Sequence, residues 1–264
     1  MNFCTWNVGL RYPKEKDREK EFETRFVSVI LEIKKLDVDV ICLQEVTLKK
    51  GKKKNKGKLG ITPFEVLLGD YDYIIHETTD TGCPDGNLIL IRKTKFKILD
   101  GNKKFEFKYE NKTFLAKAIH VNMLHLESNL PMCLINVHLK AGYNSGEDRR
   151  IFELACCLEK LDSSHFVCIC GDFNDDLDEG RKLTNLLNDN KFNFEYRPKT
   201  CCHWSKTLNE ICYSSFDRAV VRGLDIAYID DERNNELVKN NTNIPNDDMP
   251  SDHLPIKFVL SFEN

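Results

Sequence analysis

The sequence FVCICGDFN, residues 166–174, joins an apolar run of strand length directly to the polar string Gly-Asp-Phe-Asn. An apolar run of this kind predicts a buried strand, and Gly171 is suited to a turn at its end. The polar side chains that follow, Asp172 and Asn174, would be costly to leave in an apolar core. We therefore expect this strand to deliver Asp172 and Asn174 to a functional site.

Five further segments share this design, in which an apolar, strand-like run ends in polar or charged side chains. They are TWN (5–7), LQE (43–45), NVHL (136–139), FDR (216–218) and PSDH (250–253). Strand ends converge at the rim of a sheet, where polar side chains can share a cleft. The sequence therefore predicts one site assembled from six distant segments.

Periodicity along the chain predicts more strands than helices. Apolar residues at spacings of three and four predict helices over Asp17–Leu36, 148–161 and 179–188. Apolar runs predict strands over Asn2–Asn7, Val38–Gln44, Tyr71–His76, Asn87–Arg92, Phe114–His125, Met132–His138, Phe166–Gly171, Phe216–Val221 and Ile256–Phe262. Residues 48–60 and 230–250 are predicted as loops. Two packed sheets flanked by helices would accommodate this order of elements.

Composition limits the classes of protein that the chain can belong to. Of its 264 residues, 41% are hydrophobic, which is enough for a sizeable core. The net charge of −3 gives no overall basic bias, so a contact with nucleic acid would have to be a local patch. No apolar run approaches the roughly 18 residues of a membrane helix, and we expect no stable membrane association.

Cysteine usage indicates the compartment. The 11 cysteines are spaced irregularly, and several lie inside apolar strands, which is typical of buried thiols rather than of a disulfide framework. The N-terminus has no basic segment followed by an apolar one, as a signal peptide would. We therefore expect an intracellular protein, cytoplasmic or nuclear.

The six segments, in this order, resemble the motifs of the endonuclease/exonuclease/phosphatase (DNase I-like) superfamily over residues 5–253. TWNVGL, LQEV and PSDH are most similar to tyrosyl-DNA 5′-phosphodiesterases and deadenylases, whereas VHLKAG and GDFND look more like bacterial-type nucleases. The resemblance implies an α/β fold, a four-layer αββα sandwich of two packed mixed β-sheets flanked by helices. It also implies that residues 1–264 form a single catalytic domain that hydrolyses phosphoesters with the help of a metal ion.

The resemblance implies a Mg²⁺ cofactor, for which Mn²⁺ would substitute. Glu45 is expected to be the principal ligand, because an unpaired carboxylate after the apolar run VICLQ would otherwise be costly. Asn7 is expected to bind the metal ion or its water, and Asp252 to help directly or through water. Oxygen ligands of this kind are those that Mg²⁺ prefers.

The resemblance also implies five catalytic residues. Asp172 is expected to orient or deprotonate the attacking water, and Asn174 to donate to a non-bridging phosphate oxygen. Asp217 is expected to hydrogen-bond to His253, which would stabilise charge or act as a general base. His138 is expected to stabilise the phosphate or to protonate the leaving group. Its partner would be the side chain at 85 or 87.

Substrate contacts are predicted at two places. Residues 49–58 are rich in lysine and follow Glu45, so this loop is expected to hold a polyanion through Lys52, Lys53 and Lys54, or else to be a solvated charged loop. The resemblance also implies that Trp204, with His203, shapes a substrate-facing rim. The string CCH at 201–203 lacks the spacing of a structural zinc site.

The sequence thus predicts a Mg²⁺-dependent phosphodiesterase that hydrolyses DNA or RNA, as a monomer with no obligate protein partner. One alternative is a phosphomonoesterase acting on inositol phosphates or phosphoinositides. Asp175 and Asp176 disfavour it, since they add negative charge beside GDFN. A second alternative is a catalytically inactive binding scaffold, which would have no reason to keep all the acidic residues and histidines of the motifs.

Overall fold

A computed structural model describes residues 1–10, 19–47, 69–78, 85–101, 105–142, 146–161, 166–177, 181–194, 199–205, 209–246 and 249–263. Two β-sheets pack face to face, and helices cover the outer face of each sheet. One apolar cluster fills the space between the sheets. A second lies between the first sheet and its helices, and a third lies between the second sheet and its helices. The predicted four-layer αββα sandwich is therefore confirmed.

The first sheet has six strands. In spatial order they are β14 (Leu224–Tyr228), β15 (Ile256–Phe262), β1 (Asn2–Leu10), β2 (Val40–Thr47), β4 (Asp85–Arg92) and β3 (Tyr71–Thr78). Only β1 and β2 run parallel within this sheet, and helix α1 (Glu19–Leu36) connects them. Phe26, Val29 and Ile33 of α1 recur at spacings of three and four and are buried against the sheet, as the periodicity predicted.

The second sheet has five strands. In spatial order they are β13 (Asp217–Arg222), β10 (Val167–Asp172), β9 (Leu130–His138), β8 (Ala118–His125) and β5 (Phe96–Gly101). The neighbours β9 and β10 run parallel, and helix α2 (Glu147–Glu159) connects them. Helix α2 and helix α3 (Lys182–Asp189) cover the outer face of this sheet.

Two hairpins and one short helix complete the described elements. Strands β6 (Glu106–Tyr109) and β7 (Lys112–Leu115) form a hairpin that contacts α2. Strands β11 (Cys201–Ser205) and β12 (Glu210–Ser214) form the second hairpin. Helix α4 (Glu232–Lys239) begins after Asp231, whose side chain caps it by accepting a hydrogen bond from the backbone of Asn234.

Strand β10 is buried on both faces, as its apolar run predicted. Cys168 and Cys170 face the other sheet, whereas Val167 and Ile169 face the helices. The strand continues through Gly171, which has φ 139°, so the turn begins after Asp172 rather than at the glycine. A side chain at Gly171 would overlap the carbonyl group of Val137 on β9, so only glycine fits there.

Two of the predicted elements are wrong. The single strand predicted over Phe114–His125 is divided into β7 and β8, because Ala116 bonds to Phe105 where the chain passes from the hairpin into the sheet. The predicted loop 230–250 contains helix α4, which buries Leu237 against the first sheet's outer face. Residues 48–60, the other predicted loop, lie outside the described residues.

Each of the ten described cysteines is a free thiol, and nine of them are buried. This agrees with the expectation of buried thiols rather than a disulfide framework. Among the described residues, none of the helices combines the length and apolar character needed to cross a bilayer.

Candidate active site

Three neighbouring strands of the second sheet bring predicted site residues to one rim of the sandwich. In their register, Asp172 on β10 lies opposite both His138 on β9 and Asp217 on β13. Asn7 reaches the same place from the first sheet, and its amide nitrogen donates a 3.0 Å hydrogen bond to Asp172 Oδ2. All four residues are buried. Segments that are far apart in the sequence therefore meet around Asp172.

Asp172 lies at the centre of a group formed with Asn7, His138, Asp217 and His253, which we call the catalytic cluster because it contains four of the five predicted catalytic residues. Its Oδ2 lies 3.8 Å from His138 Nε2 and 4.0 Å from His253 Nε2. Its Oδ1 accepts a 2.8 Å hydrogen bond from the backbone of Asn174. Burial raises the pKa of Asp172 and the charge of Asp217 raises it further, while the two histidines oppose this rise. A carboxylate with a raised pKa is a better proton acceptor than a surface aspartate, as a general base requires.

Asp217 and His253 form the expected hydrogen bond, with 2.6 Å between Oδ2 and Nδ1. The same carboxylate oxygen accepts a 2.6 Å hydrogen bond from the hydroxyl group of Thr200, which is buried. Burial disfavours a charge on His253, but Asp217 first, and then Cys201 and Asp172, together outweigh burial and hold the pKa of His253 well above its usual value. His253 is therefore a cation near neutral pH, with Nε2 on the side of Asp172.

The loop that carries His253 is fixed to the end of strand β1. The indole nitrogen of Trp6 donates a 2.8 Å hydrogen bond to the carbonyl oxygen of His253. The hydroxyl group of Ser251 accepts a hydrogen bond from the backbone of His253 and donates one of 2.7 Å to the carbonyl oxygen of Asn7. The first and last motifs of the chain thus hold each other in place.

Glu45 lies at a bulge where β2 loses its regular register with both neighbours. Its φ of 56° is in the left-handed region, which is rare for residues other than glycine and is often found at functional sites. Its Oε1 lies 3.6 Å from His138 Nε2. The amide nitrogen of Asn87, one of the two candidate partners of His138, donates to two backbone carbonyl groups, and its pairing with His138 stays a prediction. The side chain of Asp85 lies outside the described residues.

The donor groups of the cluster suit a divalent cation. Ligand atoms of Asp172, Asp217 and His253 all lie within 4.8 Å of one another. Oδ1 of Asp217 is buried and has no hydrogen-bond partner among the described residues. His253 Nδ1 is already bonded to Asp217, so the cluster offers mainly oxygen atoms, which Mg²⁺ and Mn²⁺ accept. Of the predicted metal ligands, Asn7 contacts this cluster by its hydrogen bond to Asp172, and Glu45 lies beside it in contact with His138.

Asp252 and Asn174 lie at the edge of the cluster. The exposed carboxylate of Asp252 lies 3.5 Å from the hydroxyl oxygen of Ser251, whose one hydrogen is donated to Asn7, so this carboxylate is available at the surface. Asn174 donates a 3.0 Å hydrogen bond to the carbonyl oxygen of Leu139, and an amide nitrogen has a second hydrogen to donate. The roles of Asp252 as metal ligand and of Asn174 as phosphate donor stay predictions.

The predicted substrate contacts are less well defined by the structure. Lys52, Lys53 and Lys54 lie outside the described residues, as does the side chain of Trp204. The strand that carries Trp204, β11, is nevertheless bonded to the site, because Cys202 donates a 2.8 Å backbone hydrogen bond to Asp252. Within the described residues, the cysteines at 201 and 202 belong to no group of metal-ligating side chains.

Several side chains that build the site had no predicted role. Thr200 lies in none of the motifs, and the residue to which it donates, Asp217, is 17 residues away in the sequence. Trp6 lies in a motif, but its partner is 247 residues away in the sequence. Gln44 and Asn136 form a buried 2.7 Å hydrogen bond that joins the two sheets beneath the site. Their position beside Glu45 and His138 in the motifs was the available signal.

The sequence matches one family model over most of its length. The model described as the Endonuclease/Exonuclease/phosphatase family matches residues 4–253. The chain is also 30% identical to "Protein angel homolog 2" from Homo sapiens over 189 residues, which are 66% of this chain and 32% of that protein. The chain therefore spans about a third of the length of the curated relatives that it matches.

Solved structures resemble the fold over nearly the whole chain. The human Nocturnin catalytic domain with bound sulfate superimposes with a TM-score of 0.71 and 20% identity, covering 100% of this chain and 94% of that one. ANGEL2, described as a 2′,3′-cyclic phosphatase and bound to adenosine-2′,3′-vanadate, gives a TM-score of 0.70 and 19% identity, covering 97% and 94%. At these identities the likeness concerns the fold.

Proposed function

Because the chain belongs to the endonuclease/exonuclease/phosphatase family, whose members hydrolyse phosphoester bonds, we propose that it is a divalent-metal-dependent phosphodiesterase acting on nucleic acid. The observation that carries the proposal is the position of Asp172 between two histidines and a second buried carboxylate. A phosphodiester resists water because its charge repels nucleophiles and its leaving alkoxide is poor. The cluster offers a base and a cationic donor at one place.

Each residue of the cluster has a different proposed role in hydrolysis. Asp172, with its raised pKa, would orient the attacking water and take its proton. His253, held as a cation by Asp217, would donate a hydrogen bond to a phosphate oxygen as charge develops there. Glu45 and Asn7 would hold the cation, which when bound neutralises phosphate charge and stabilises the leaving oxygen.

The remaining predicted residues fit supporting roles. Asn174 would donate to a non-bridging oxygen with its second amide hydrogen, and His138 would protonate or stabilise the leaving group. We infer that Asp252 assists the cation from the mouth of the site. We further infer that residues 1–264 act as one catalytic domain, as a monomer inside the cell, with no obligate protein partner.

A 2′,3′-cyclic phosphate at the end of an RNA chain is the first specific substrate that we propose. ANGEL2, whose fold the chain shares, is described as a 2′,3′-cyclic phosphatase, and the chain matches "Protein angel homolog 2" by sequence as well. Opening a cyclic phosphate requires a water, a base and stabilisation of charge on the phosphate. These are the functions assigned here to Asp172, His253 and the cation.

An inositol phosphate belongs in the same test, because the charge argument against it is weaker in the structure than in the sequence. Asp175 is buried and pairs with Arg150 at 3.1 Å, so it adds no negative charge to the surface beside GDFN. Asp176 accepts a 2.9 Å hydrogen bond from the backbone of Ser215. Neither residue therefore opposes an anionic substrate as strongly as the sequence indicated.

The experiment is a comparison of hydrolysis with Mg²⁺, with Mn²⁺ and with EDTA. The substrates are an RNA ending in a 2′,3′-cyclic phosphate, an oligoadenylate, a 5′-phosphotyrosyl DNA and an inositol polyphosphate. We expect metal-dependent turnover of the cyclic phosphate, and a loss of several orders of magnitude in H253A with its folding intact. Turnover of the inositol phosphate alone would replace the proposal with the phosphomonoesterase alternative. Binding of nucleic acid without hydrolysis of any substrate would favour the inactive scaffold.

A further inference from the structure

The surface beside the first turns of α2 combines aromatic rings with cations. The guanidinium carbon of Arg149 lies 4.2 Å from the centre of the Phe114 ring. Nearly one helical turn further on, Phe152 contacts Tyr109 edge-on, with 5.5 Å between the ring centres. Lys112 lies beside Tyr109 as its cross-strand partner on the β6–β7 hairpin. We call these five residues the stacking surface.

The stacking surface exposes more aromatic area than attachment of the hairpin requires. Phe107 is buried and stacks on Phe114 with 5.7 Å between the ring centres, which already fixes the hairpin against the protein. Phe152, by contrast, is 47% exposed. Lys112 is exposed and forms no ion pair with any described residue. Tyr109 and Phe114 are half-buried. One exposed ring and one half-buried ring, with cations beside them, present faces on which a planar, negatively charged ligand can stack.

A chain of direct contacts connects this surface to the catalytic cluster. The carbonyl oxygen of Leu139 accepts a hydrogen bond from Asn174, at the edge of the catalytic cluster. The next residue, Lys140, donates a 2.7 Å backbone hydrogen bond to Glu153 Oε2. The other oxygen of Glu153 accepts a 3.1 Å hydrogen bond from Arg149, which neutralises the glutamate. The backbone of Lys140 therefore lies between the catalytic cluster and the stacking surface, and its side chain is exposed.

We propose that the stacking surface binds bases of a single-stranded segment of nucleic acid that extends from the scissile phosphate. This inference rests on the proposed function, and it names the part of the substrate that lies outside the catalytic cluster. The rings of Phe152 and Tyr109 and the guanidinium plane of Arg149 stack on bases, which all have a π-face. Lys112 and Lys140 attract the phosphates that join those bases.

The test is the affinity of the full chain for a fluorescein-labelled single-stranded RNA of about 16 nucleotides, measured by anisotropy in EDTA so that no hydrolysis occurs. F152A is expected to weaken binding about fivefold or more, the loss of one stacked base. K112E is expected to weaken binding as well and to flatten its salt dependence. Matched controls are Y73A, at a 43% exposed tyrosine on β3, and K97E, at an exposed lysine on β5; both should bind as the wild type does.

Thermal unfolding of each variant establishes that it is folded. If F152A is unstable, the affinity of K112E still tests the proposal. Equal affinity of both variants and the wild type would overturn the stacking surface, as would equal losses in the two control variants. If RNA binds through this surface but the wild type hydrolyses no nucleic acid with Mg²⁺ or Mn²⁺, the surface stands and the proposed function fails. If the wild type cleaves a dinucleotide but binds no longer strand, the proposed function stands and the surface is overturned.

Discussion

Two aspartates that are three residues apart, Asp172 and Asp175, are both buried but have opposite surroundings. Asp175 lies 3.1 Å from Arg150 Nη2 and 3.7 Å from Arg181 Nη1, so cations surround its carboxylate. Asp172 lies opposite a second carboxylate, Asp217, and its nearest cationic partners are histidines. The first aspartate is neutralised within the protein, whereas the second belongs to a group with an excess of acidic oxygen atoms.

This difference separates a structural charge from a functional one. Arg150 also donates hydrogen bonds to the carbonyl oxygens of Lys140 and Gly142, so its pair with Asp175 ties the loop after His138 to the GDFND segment. A buried charge that is paired in this way is stabilised without a bound cation or a proton from solvent. The acidic excess around Asp172 is stabilised only when a cation or a proton arrives, which is the condition for a metal site.

The largest effect is expected when the charge of Asp172 is removed without a change of shape. D172N should lower turnover by about 10⁴-fold, because a positioned base contributes up to this factor. Its unfolding midpoint should stay the same or rise, since the repulsion from Asp217 is gone. Initial rates on the cyclic phosphate RNA and thermal unfolding check both parts. Turnover above about a tenth of the wild-type rate would show that Asp172 is not the base.

The corresponding change in the structural cluster should affect stability instead. D175N leaves Arg150 buried without its carboxylate, which is expected to cost about 3–5 kcal/mol of unfolding free energy. Urea unfolding measures this cost. The matched control is D189N at an exposed aspartate of α3, which should change stability by less than about 0.5 kcal/mol. A D175N variant as stable as this control would contradict the assignment of the Arg150–Asp175 pair as structural.

Addition of a divalent cation should sharpen the contrast. Mg²⁺ or Mn²⁺ at a hundredfold excess over its dissociation constant should stabilise the wild type by about 2.7 kcal/mol. D175N should gain the same increment, because its altered pair lies outside the proposed metal site. E45Q should gain less at the same concentration, since it lacks a ligand charge. Unfolding midpoints during a metal titration give the comparison, and an equal gain in E45Q would remove Glu45 from the ligand set.

Local sequence patterns were sufficient to predict the helices and strands whose apolar residues follow a regular spacing or form a continuous run. The spacing of Phe26, Val29 and Ile33 gave α1, and the apolar run before Asp172 gave β10. Helix α4 was missed because only Leu237 is buried in it and its asparagines favour turns, so the helix depends on the Asp231 cap and on tertiary packing.

The residues of the site also differ in whether local sequence patterns could predict them. The residues at strand ends could be found because polar side chains after apolar runs are locally conspicuous, and the Asp217–His253 bond followed from the family resemblance. The bulge that turns Glu45 toward His138 depends on the pairing of β2 with two neighbouring strands. The hydrogen bond from Thr200 to Asp217 depends on the placement of a hairpin, which no local pattern encodes.

The smallest effect that we predict is a pH dependence of stability that comes from His253 in the functional cluster and not from the Arg150–Asp175 pair. The pKa of His253 is raised in the folded protein, so below its ordinary value of 6.5 both states hold the proton and the pairing with Asp217 stabilises the fold fully. Above pH 6.5 the unfolded chain releases the proton while the folded protein keeps it. The unfolding free energy therefore falls by up to about 1.4 kcal/mol per pH unit until the pH exceeds the pKa of His253 in the folded protein. Urea unfolding in EDTA between pH 6.5 and about 8, below the range in which thiols of the unfolded chain release protons, should show the fall in the wild type and in D175N, which keeps His253, but not in H253Q. A parallel fall in H253Q would mean that another group releases the proton, and the charge on His253 could then no longer be derived from Asp217.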